Sequence, residues 1–143
     1  MHIHADTMDP KSIILVEDDV NLRQSIALIL QRAGYFVTAT DCVYKAIELL
    51  RSNGYHLIIS EINIPETKNV LLPQIMGTYP KLSIVILTDQ AAPNTDLEGK
   101  HLRAHYLVKP LSPERLLESI STLLNRENKS RHQNRNSLRD TPI

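Results

Sequence analysis

The 143-residue chain has one cysteine and no tryptophan. A single cysteine excludes an internal disulfide and a metal site built from several cysteines, and Cys42 is expected to be a small buried or half-buried residue rather than a nucleophile. The 16 basic residues balance 16 acidic ones, so bulk charge gives no reason to expect a nucleic-acid or membrane partner. No apolar run approaches the length of a membrane span and no signal-peptide pattern is present, which predicts a cytoplasmic protein.

The chain does contain a series of short apolar runs, each too short for a helix. They alternate with segments whose apolar residues recur at helical spacing, a pattern typical of one domain built from five β-then-α units around a parallel sheet. The predicted strands are residues 12–16, 35–40, 55–60, 82–87 and 106–108. The predicted helices are residues 20–33, a segment that follows residue 41, residues 70–79, a short or irregular helix within 89–104, and a last helix that starts near residue 113.

Local signals mark where several helices begin and end. Asp19 is expected to cap the first helix, which Gly34 ends. Asp41 is expected to cap the second helix in the same way. Ser112 and Pro113 predict the start of the last helix, with the proline at its first helical position.

Both ends of the chain lack any hydrophobic period. Residues 1–11 are therefore predicted to be a flexible lead-in, residues 12–125 the folded domain, and residues 126–143 a polar tail. A disordered tail is the favoured interpretation of its basic residues, ahead of a contact with nucleic acid.

Polar side chains follow four of the predicted strands. Glu17 and Asp18 follow the first strand, Glu61 the third, Thr88 the fourth and Lys109 the fifth. Taken singly, each is an ordinary strand-end or solvated residue. Because the carboxyl ends of parallel strands meet at one edge of a sheet, the four positions together predict a site at that edge.

The segments ILVEDD, LIISEINIP, VILTD and HYLVKP, in this order, resemble the receiver domain of bacterial response regulators over about residues 12–125. The resemblance implies a flavodoxin-like, doubly wound α/β fold with a five-stranded parallel sheet in the order 2-1-3-4-5. It also implies a non-enzymatic signalling module of a two-component phosphorelay. The partners it implies are a histidine kinase or phosphotransfer protein, a protein that receives the output, and a second copy in a homodimer.

The resemblance also assigns roles to the strand-end residues. Glu61 stands at the phosphoacceptor position. Glu17, Asp18, Glu61 and the backbone carbonyl of Asn63 would hold Mg²⁺, for which weak binding is expected, since this cation takes hard oxygen ligands.

Three further residues would respond to a phosphoryl group. Thr88 would hydrogen-bond it, Lys109 would pair with its oxygens, and Tyr106 would be the aromatic switch. Pro110 would be preceded by the cis peptide bond usual at that position.

The sequence departs from the receiver pattern at the acceptor itself, which is usually aspartate. The additional methylene of Glu61 moves the carboxylate by about 1.5 Å, and a misplacement of about 1 Å can cost on the order of a hundredfold in rate. Asp89 replaces a small residue and would disfavour a phosphoryl dianion nearby. Lys68 and Asn69 replace an Asp-Gly pair in the following loop.

These features leave three functions open. The first is an atypical receiver that works by protein contact, independently of phosphate or with Glu61 as a partial mimic of it. The second is a conventional phosphoaccepting receiver whose acceptor was changed, naturally or by engineering. The third and least favoured is a Mg²⁺-dependent phosphohydrolase, which would need a nucleophile and a separate acid–base group.

Overall fold

The computed structural model describes residues 9–89 and 104–125. Strands and helices alternate along most of the chain, as the hydrophobic pattern predicts. The strands are β1 (Ser12–Val16), β2 (Phe36–Thr40), β3 (Leu57–Glu61), β4 (Ser83–Thr88) and β5 (Ala104–Val108). The helices are α1 (Val20–Arg32), α2 (Val43–Ser52), a π-helical turn (Thr67–Leu71), α3 (Leu72–Thr78) and α4 (113–125).

The five strands are parallel and lie in the order β2-β1-β3-β4-β5, which confirms the predicted topology. The order reverses between β1 and β3, and a crevice for ligands lies outside the carboxyl ends of the strands at such a point. The register pairs Glu61 with Leu87 and Thr88 with Val108, so the ends of β3, β4 and β5 lie close to one another.

Successive residues of each strand enter opposite layers of the core. Ile14 and Ile58 pack with α2 and α3 on one face, whereas Ile13 and Ile59 pack with α1 and α4 on the other, and all four are 0% exposed. Burial on both faces explains why the strands are continuous apolar runs rather than alternating ones. Full burial of each such side chain stabilises the fold by roughly 1.5–3 kcal/mol.

Two predicted helix starts are confirmed. The Asp19 carboxylate accepts from the Leu22 amide at 3.0 Å at the start of α1, and Gly34, with φ +98°, follows its end. Pro113 is the first residue of α4, and the Ser112 hydroxyl accepts from the Arg115 amide at 3.3 Å. Both caps satisfy amide groups that have no partner inside the helix.

The start of α2 differs from the prediction. Cys42, not Asp41, is the N-cap residue, and its side chain makes no capping hydrogen bond. The Cys42 amide instead donates to the Thr40 hydroxyl at 3.1 Å, so the turn into α2 is fixed by the last residue of β2. The prediction that Cys42 is buried or half-buried is also wrong, because this position at the head of a surface helix is exposed.

The predicted helix 70–79 begins earlier and in a different form. One π-helical turn, Thr67–Leu71, precedes α3, and the Leu72 amide donates to the Thr67 carbonyl five residues before it. Pro73 contributes to this form, since proline has no amide hydrogen with which to continue an α-helical ladder. The Thr67 hydroxyl lies 2.9 Å from that of Ser60, which anchors the turn to β3.

The strand boundaries shift in a way that affects the site. β3 ends at Glu61 and β4 at Thr88, one residue later in each case than predicted, and both residues are buried within the sheet ladder. β5 is longer than the predicted 106–108. Regular strand backbone therefore positions the side chains of Glu61 and Thr88.

Some predictions lie outside the described residues. These are the irregular helix within 89–104 apart from its end residues, positions 1–8 of the lead-in, and the tail 126–143. In the segments 9–89 and 104–125, no helix is long and apolar enough to cross a membrane.

Candidate functional site

The backbone at the carboxyl edge of the sheet brings four strand ends together. The Glu17 amide continues the β1–β2 pairing by donating to the Thr40 carbonyl at 3.1 Å. The Lys109 amide likewise extends the β4–β5 pairing, with a 2.8 Å bond to the Thr88 carbonyl. The sheet hydrogen bonding thus continues one residue beyond β1 and β5, to Glu17 and Lys109.

Lys109 joins two buried carboxylates at this edge. Its ammonium nitrogen lies 2.5 Å from Oε2 of Glu61 and 3.4 Å from Oε1 of Glu17. Glu17 is 0% exposed and Glu61 is 1% exposed, whereas the Lys109 side chain keeps 23% of its surface in solvent. One ammonium, itself partly in solvent, therefore balances two buried carboxylates.

The second oxygen of each carboxylate is bound by the backbone. Oε2 of Glu17 accepts from the Asp19 amide at 3.1 Å, and Oε1 of Glu61 accepts from the Asn63 amide at 3.3 Å. Within the described residues, the Lys109 ammonium is the only partner of the other two oxygens. Both side chains are consequently oriented with one oxygen to an amide and one to the ammonium.

Burial disturbs the ionisation of this group. Removal from water raises the pKa of Glu17, and the Asp18 carboxyl and the charge of Glu61 act in the same direction. The Asp19 amide and the Lys109 charge act against that rise without cancelling it. Burial by itself would lower the pKa of Lys109, but the hydrogen bond and charge of Glu61, followed by those of Glu17, raise it overall.

Thr88 and Tyr106 occupy the positions that the sequence predicts. Thr88 ends β4 and is 3% exposed, one residue beyond the strand partner of Glu61. Tyr106 lies on β5 opposite Ile86 and packs, half-buried, against the core layer of α2 and α3. The predicted cis peptide bond between Lys109 and Pro110 is present.

A hydrogen bond between two loops lies at the mouth of the site. The Asn63 amide nitrogen donates to Oδ2 of Asp89 at 2.7 Å, and both residues are exposed. It links the residue two positions after Glu61 to the residue after Thr88. The sequence singled out both residues, but only for other roles.

Arg23 is a residue of the site region that sequence reasoning missed. Its guanidinium donates to the Glu17 carbonyl at 2.8 Å, while its amide donates to the Asp19 carbonyl at 2.9 Å as α1 begins. The sequence signal for this contact is a basic residue one turn after the predicted helix cap, Asp19. The contact stabilises the backbone that carries Glu17.

Three other predicted residues are exposed. Asp18 is one of them, and its carboxyl lies close enough to Glu17 to raise the pKa of that group. Lys68 and Asn69 are exposed within the π-helical turn, so the backbone there is helical rather than the left-handed turn that an Asp-Gly pair would favour.

The donor chemistry of the site suits a hard divalent cation, because Glu17 and Glu61 supply carboxylate oxygens. The spacing of the side chains does not match this chemistry. Across the described segments, no three His, Cys, Asp or Glu side chains are grouped so that they could hold a metal ion. The ammonium of Lys109 instead balances the two buried carboxylates.

Comparison with known proteins agrees with this geometry. Residues 13–121 match the family model of the response regulator receiver domain, and the chain therefore belongs to that family. Receiver domains are generally signalling modules rather than enzymes, and they commonly bind Mg²⁺ at the phosphorylation site. They interact with histidine kinases or phosphotransfer proteins and with output domains.

Two curated relatives show how much of a longer protein this domain corresponds to. The chain is 32% identical over 107 residues to the two-component response regulator ARR10 of Arabidopsis thaliana, covering 73% of this chain and 19% of that protein. It is 32% identical over 111 residues to the response regulator protein FleR of Pseudomonas aeruginosa, covering 76% of this chain and 24% of that protein. The chain thus spans about a fifth to a quarter of these relatives.

Solved structures confirm the fold. A CheY-like receiver domain protein from Methanospirillum hungatei superposes with a TM-score of 0.76 at 25% identity, covering 85% of this chain and 99% of that one. The chemotaxis response regulator CheY4 of Vibrio cholerae gives 0.69 at 29% identity, covering 81% and 100%.

Proposed function

We propose that this domain is a receiver whose phosphate input is lost or replaced, with Glu61 held in an ion pair at the acceptor position. The observation that supports this most is the 2.5 Å contact between Oε2 of Glu61 and the Lys109 ammonium. In receivers this lysine pairs with the acceptor carboxylate and with the incoming phosphoryl oxygens. Here the longer carboxylate reaches it without a phosphoryl group.

The length of its side chain makes Glu61 a poor phosphoacceptor. Phosphorylation requires a carboxylate oxygen in line with the donor's phosphorus, and the additional methylene moves the carboxylate by about 1.5 Å, to a place where Lys109 and the Asn63 amide hold it. A displacement near 1 Å in such a step costs on the order of a hundredfold in rate. The carboxylate of Asp89, at the mouth of the site, adds repulsion against a phosphoryl dianion.

Glu61 is at most a partial substitute for an acyl phosphate. It brings one negative charge and two acceptor oxygens, whereas a phosphoryl group brings nearly two charges and three oxygens. We therefore expect Thr88 and Tyr106 to have a conformation fixed by the Glu61–Lys109 pair, which a phosphodonor does not change.

Magnesium binding is proposed to be weak. Glu17, Asp18, Glu61 and the Asn63 carbonyl are the groups that would hold the ion, and the ion would supply positive charge between the carboxylates. Because Lys109 already balances two of these carboxylates, a divalent cation has to compete with an ammonium that is part of the fold.

The output is proposed to be protein–protein contact, with no catalytic step in this domain. A histidine kinase or phosphotransfer protein, an output partner and a second copy of the chain are the proposed contacts. The cytoplasmic location stays a prediction from the sequence.

The alternative is a conventional phosphoaccepting receiver in which only the acceptor has changed. Two observations favour it: Lys109 forms an ion pair with Glu61, and Thr88 lies one residue beyond the strand partner of Glu61. The two functions differ in what Glu61→Asp restores. A site that is otherwise competent regains phosphorylation, whereas a site that has also been remodelled does not.

Beryllofluoride with Mg²⁺, a mimic of a bound phosphoryl group, tests the proposal by NMR. In the natural chain, the amide resonances of Glu61, Thr88 and Lys109 should keep the positions that they have with Mg²⁺ alone. Glu61→Asp is the matched comparison: a shift in that variant alone favours the alternative function, and a shift in neither favours a site remodelled beyond the acceptor. A saturable shift of those resonances in the natural chain would overturn the proposal.

A further inference from the structure

A cavity of about 480 Å³ lies at the opposite edge of the sheet from Glu61, where β3 and β4 begin. One wall is the end of α2 with residues 53–56, and the other is the turn 79–82. Its volume falls within the range of small-molecule sites, roughly 300–1,000 Å³. None of the residues that carry the receiver site contributes to it.

The cavity arises from two successive helix-to-strand connections on the same face of the sheet. After α2, Asn53 is extended, and after α3, Tyr79 leaves the helix and its carbonyl accepts from the Leu82 amide at 3.1 Å. Leu50 and Leu82 are buried in the core layer beneath. The gap between the connections is thus bounded by core residues and by two short, hydrogen-bonded turns.

One wall is also fixed from the neighbouring strand. Nδ1 of His56 accepts from the Ser12 amide at 2.9 Å, and the His56 amide donates to the Ser12 carbonyl at 2.9 Å. Two bonds between the same pair of residues restrain both the backbone and the ring of His56. This wall of the cavity is therefore held in place before any ligand enters, which reduces the ordering cost of binding.

The lining combines aromatic surface with polar groups that have no partners. Tyr55 and Tyr79 are half-buried and pack on the core layer, and both line the cavity. Among the residues described, the Lys81 ammonium has no carboxylate within ion-pair distance, and the side-chain amide of Asn53 and the hydroxyl of Tyr79 make no hydrogen bond. A cation and two such groups beside aromatic walls favour a flat, apolar molecule with one negative charge.

We infer that this cavity is a second ligand site, which takes small planar molecules that carry a single anionic group. The ring lies against Tyr55 and Tyr79, and the anionic group lies at Lys81. This inference does not depend on whether Glu61 accepts a phosphoryl group. β4 connects the two edges, since it begins beside the cavity and ends at Thr88.

Naphthalene-2-carboxylate is the probe, followed by two-dimensional NMR of the amide groups of the full chain. The expected result is a saturable shift confined to residues 53–56 and 79–82. A molecule of this size should bind with a dissociation constant on the order of 1 mM. No shift at about ten times that concentration, or shifts centred on another surface, would overturn the inference.

Variants separate the two parts of the recognition. Lys81→Gln should weaken the binding of naphthalene-2-carboxylate about two- to fivefold, which is the contribution of an exposed ion pair. The affinity for the neutral 2-naphthamide should not change. Lys45→Gln, at an exposed lysine of α2, is the matched control and should change neither. If Lys81→Gln weakens both compounds equally or neither, the assigned anion position is wrong.

Tyr79→Ala should weaken both compounds, because it removes an aromatic wall. Because Tyr79 also packs on the core, the thermal unfolding of the Tyr79→Ala variant is measured in parallel. Tyr79→Phe keeps the aromatic ring and its packing, and therefore serves as the second variant. Tyr79→Phe should retain at least half of the affinity for naphthalene-2-carboxylate. Binding that survives in a folded Tyr79→Ala variant would contradict the assigned ring position.

Discussion

The Lys109 ammonium lies 2.5 Å from Oε2 of Glu61, and the same ammonium lies 3.4 Å from Oε1 of Glu17. The relationship makes one lysine the counter-charge of two buried acids that come from different strands. It connects β1, β3 and β5 at the edge where a receiver is phosphorylated. The stability of the domain and its response to phosphodonors should therefore both depend on this group.

Replacing Lys109 should destabilise the fold. Lys109→Met leaves two buried carboxylates with no ammonium, and removing one partner of a buried pair costs about 3 kcal/mol or more. Denaturant unfolding should show this loss, whereas Lys45→Met, at an exposed position, should change stability by less than about 0.5 kcal/mol. Adding Glu61→Gln to Lys109→Met should recover part of the loss. Equal stabilities of the natural chain and Lys109→Met would show that the pair has no structural role.

Glu17→Gln should stabilise the domain at neutral pH. Burial raises the pKa of Glu17 above its ordinary value of 4.5, so its contribution to stability is complete below that value and is lost as the pH rises through the folded-state pKa. The amide avoids this loss and still accepts from Asp19. We expect a gain of about 1 kcal/mol at pH 7, since one ammonium then faces one carboxylate.

The pH dependence is the sharper part of that measurement. The difference between Glu17→Gln and the natural chain should grow as the pH rises from about 4.5. Glu48→Gln, at an exposed glutamate of α2, should show no such trend. A difference that shrinks with rising pH would mean that ionised Glu17 stabilises the fold.

Asp89 should restrain phosphorylation even when the acceptor is restored. In a Glu61→Asp background, Asp89→Ala removes a negative charge and the bond to Asn63. A like charge nearby costs on the order of 1 kcal/mol in water, so the rate with acetyl phosphate should rise about fivefold. Asn63→Ala in the same background breaks the bond but keeps the charge, and it should have the smaller effect. Equal rates for Glu61→Asp with and without Asp89→Ala would show that Asp89 does not slow phosphorylation.

Asp19, the cap of α1, should contribute more to the free energy of unfolding than Asp41, the predicted cap of α2. Asp19→Ala loses the hydrogen bond to the Leu22 amide and should cost about 1 kcal/mol in the free energy of unfolding. Asp41→Ala should cost less than about 0.5 kcal/mol, because Cys42 rather than Asp41 occupies the cap position. Chemical unfolding of the two variants checks both values, and a larger loss in Asp41→Ala would contradict the assignment.

The strand-end residues were predictable because parallel topology alone brings Glu17, Glu61, Thr88 and Lys109 to one edge. The pattern of the chain does not determine side-chain direction, so it did not reveal that Asn63 bonds to Asp89. These residues are 26 positions apart and meet only once both loops are folded.

Three other features depend on individual side-chain contacts or cap positions, which hydrophobic periodicity does not indicate. The sequence pattern does not distinguish Arg23 from other polar residues of α1, although its guanidinium reaches the Glu17 carbonyl. The π-helical turn before Pro73 follows from the contact between Ser60 and Thr67 as well as from the proline, and periodicity does not report such a contact. Cys42 is exposed because it is the cap residue of α2, a place that its residue type does not indicate.

The central claim is that Glu61 occupies the acceptor position without accepting phosphate. Its most direct test is the intact mass of the natural chain and of Glu61→Asp after incubation with acetyl phosphate and Mg²⁺. We expect no added phosphoryl group on the natural chain under conditions that modify a conventional receiver. A stoichiometric gain of one phosphoryl group on the natural chain, mapped to Glu61, would contradict it.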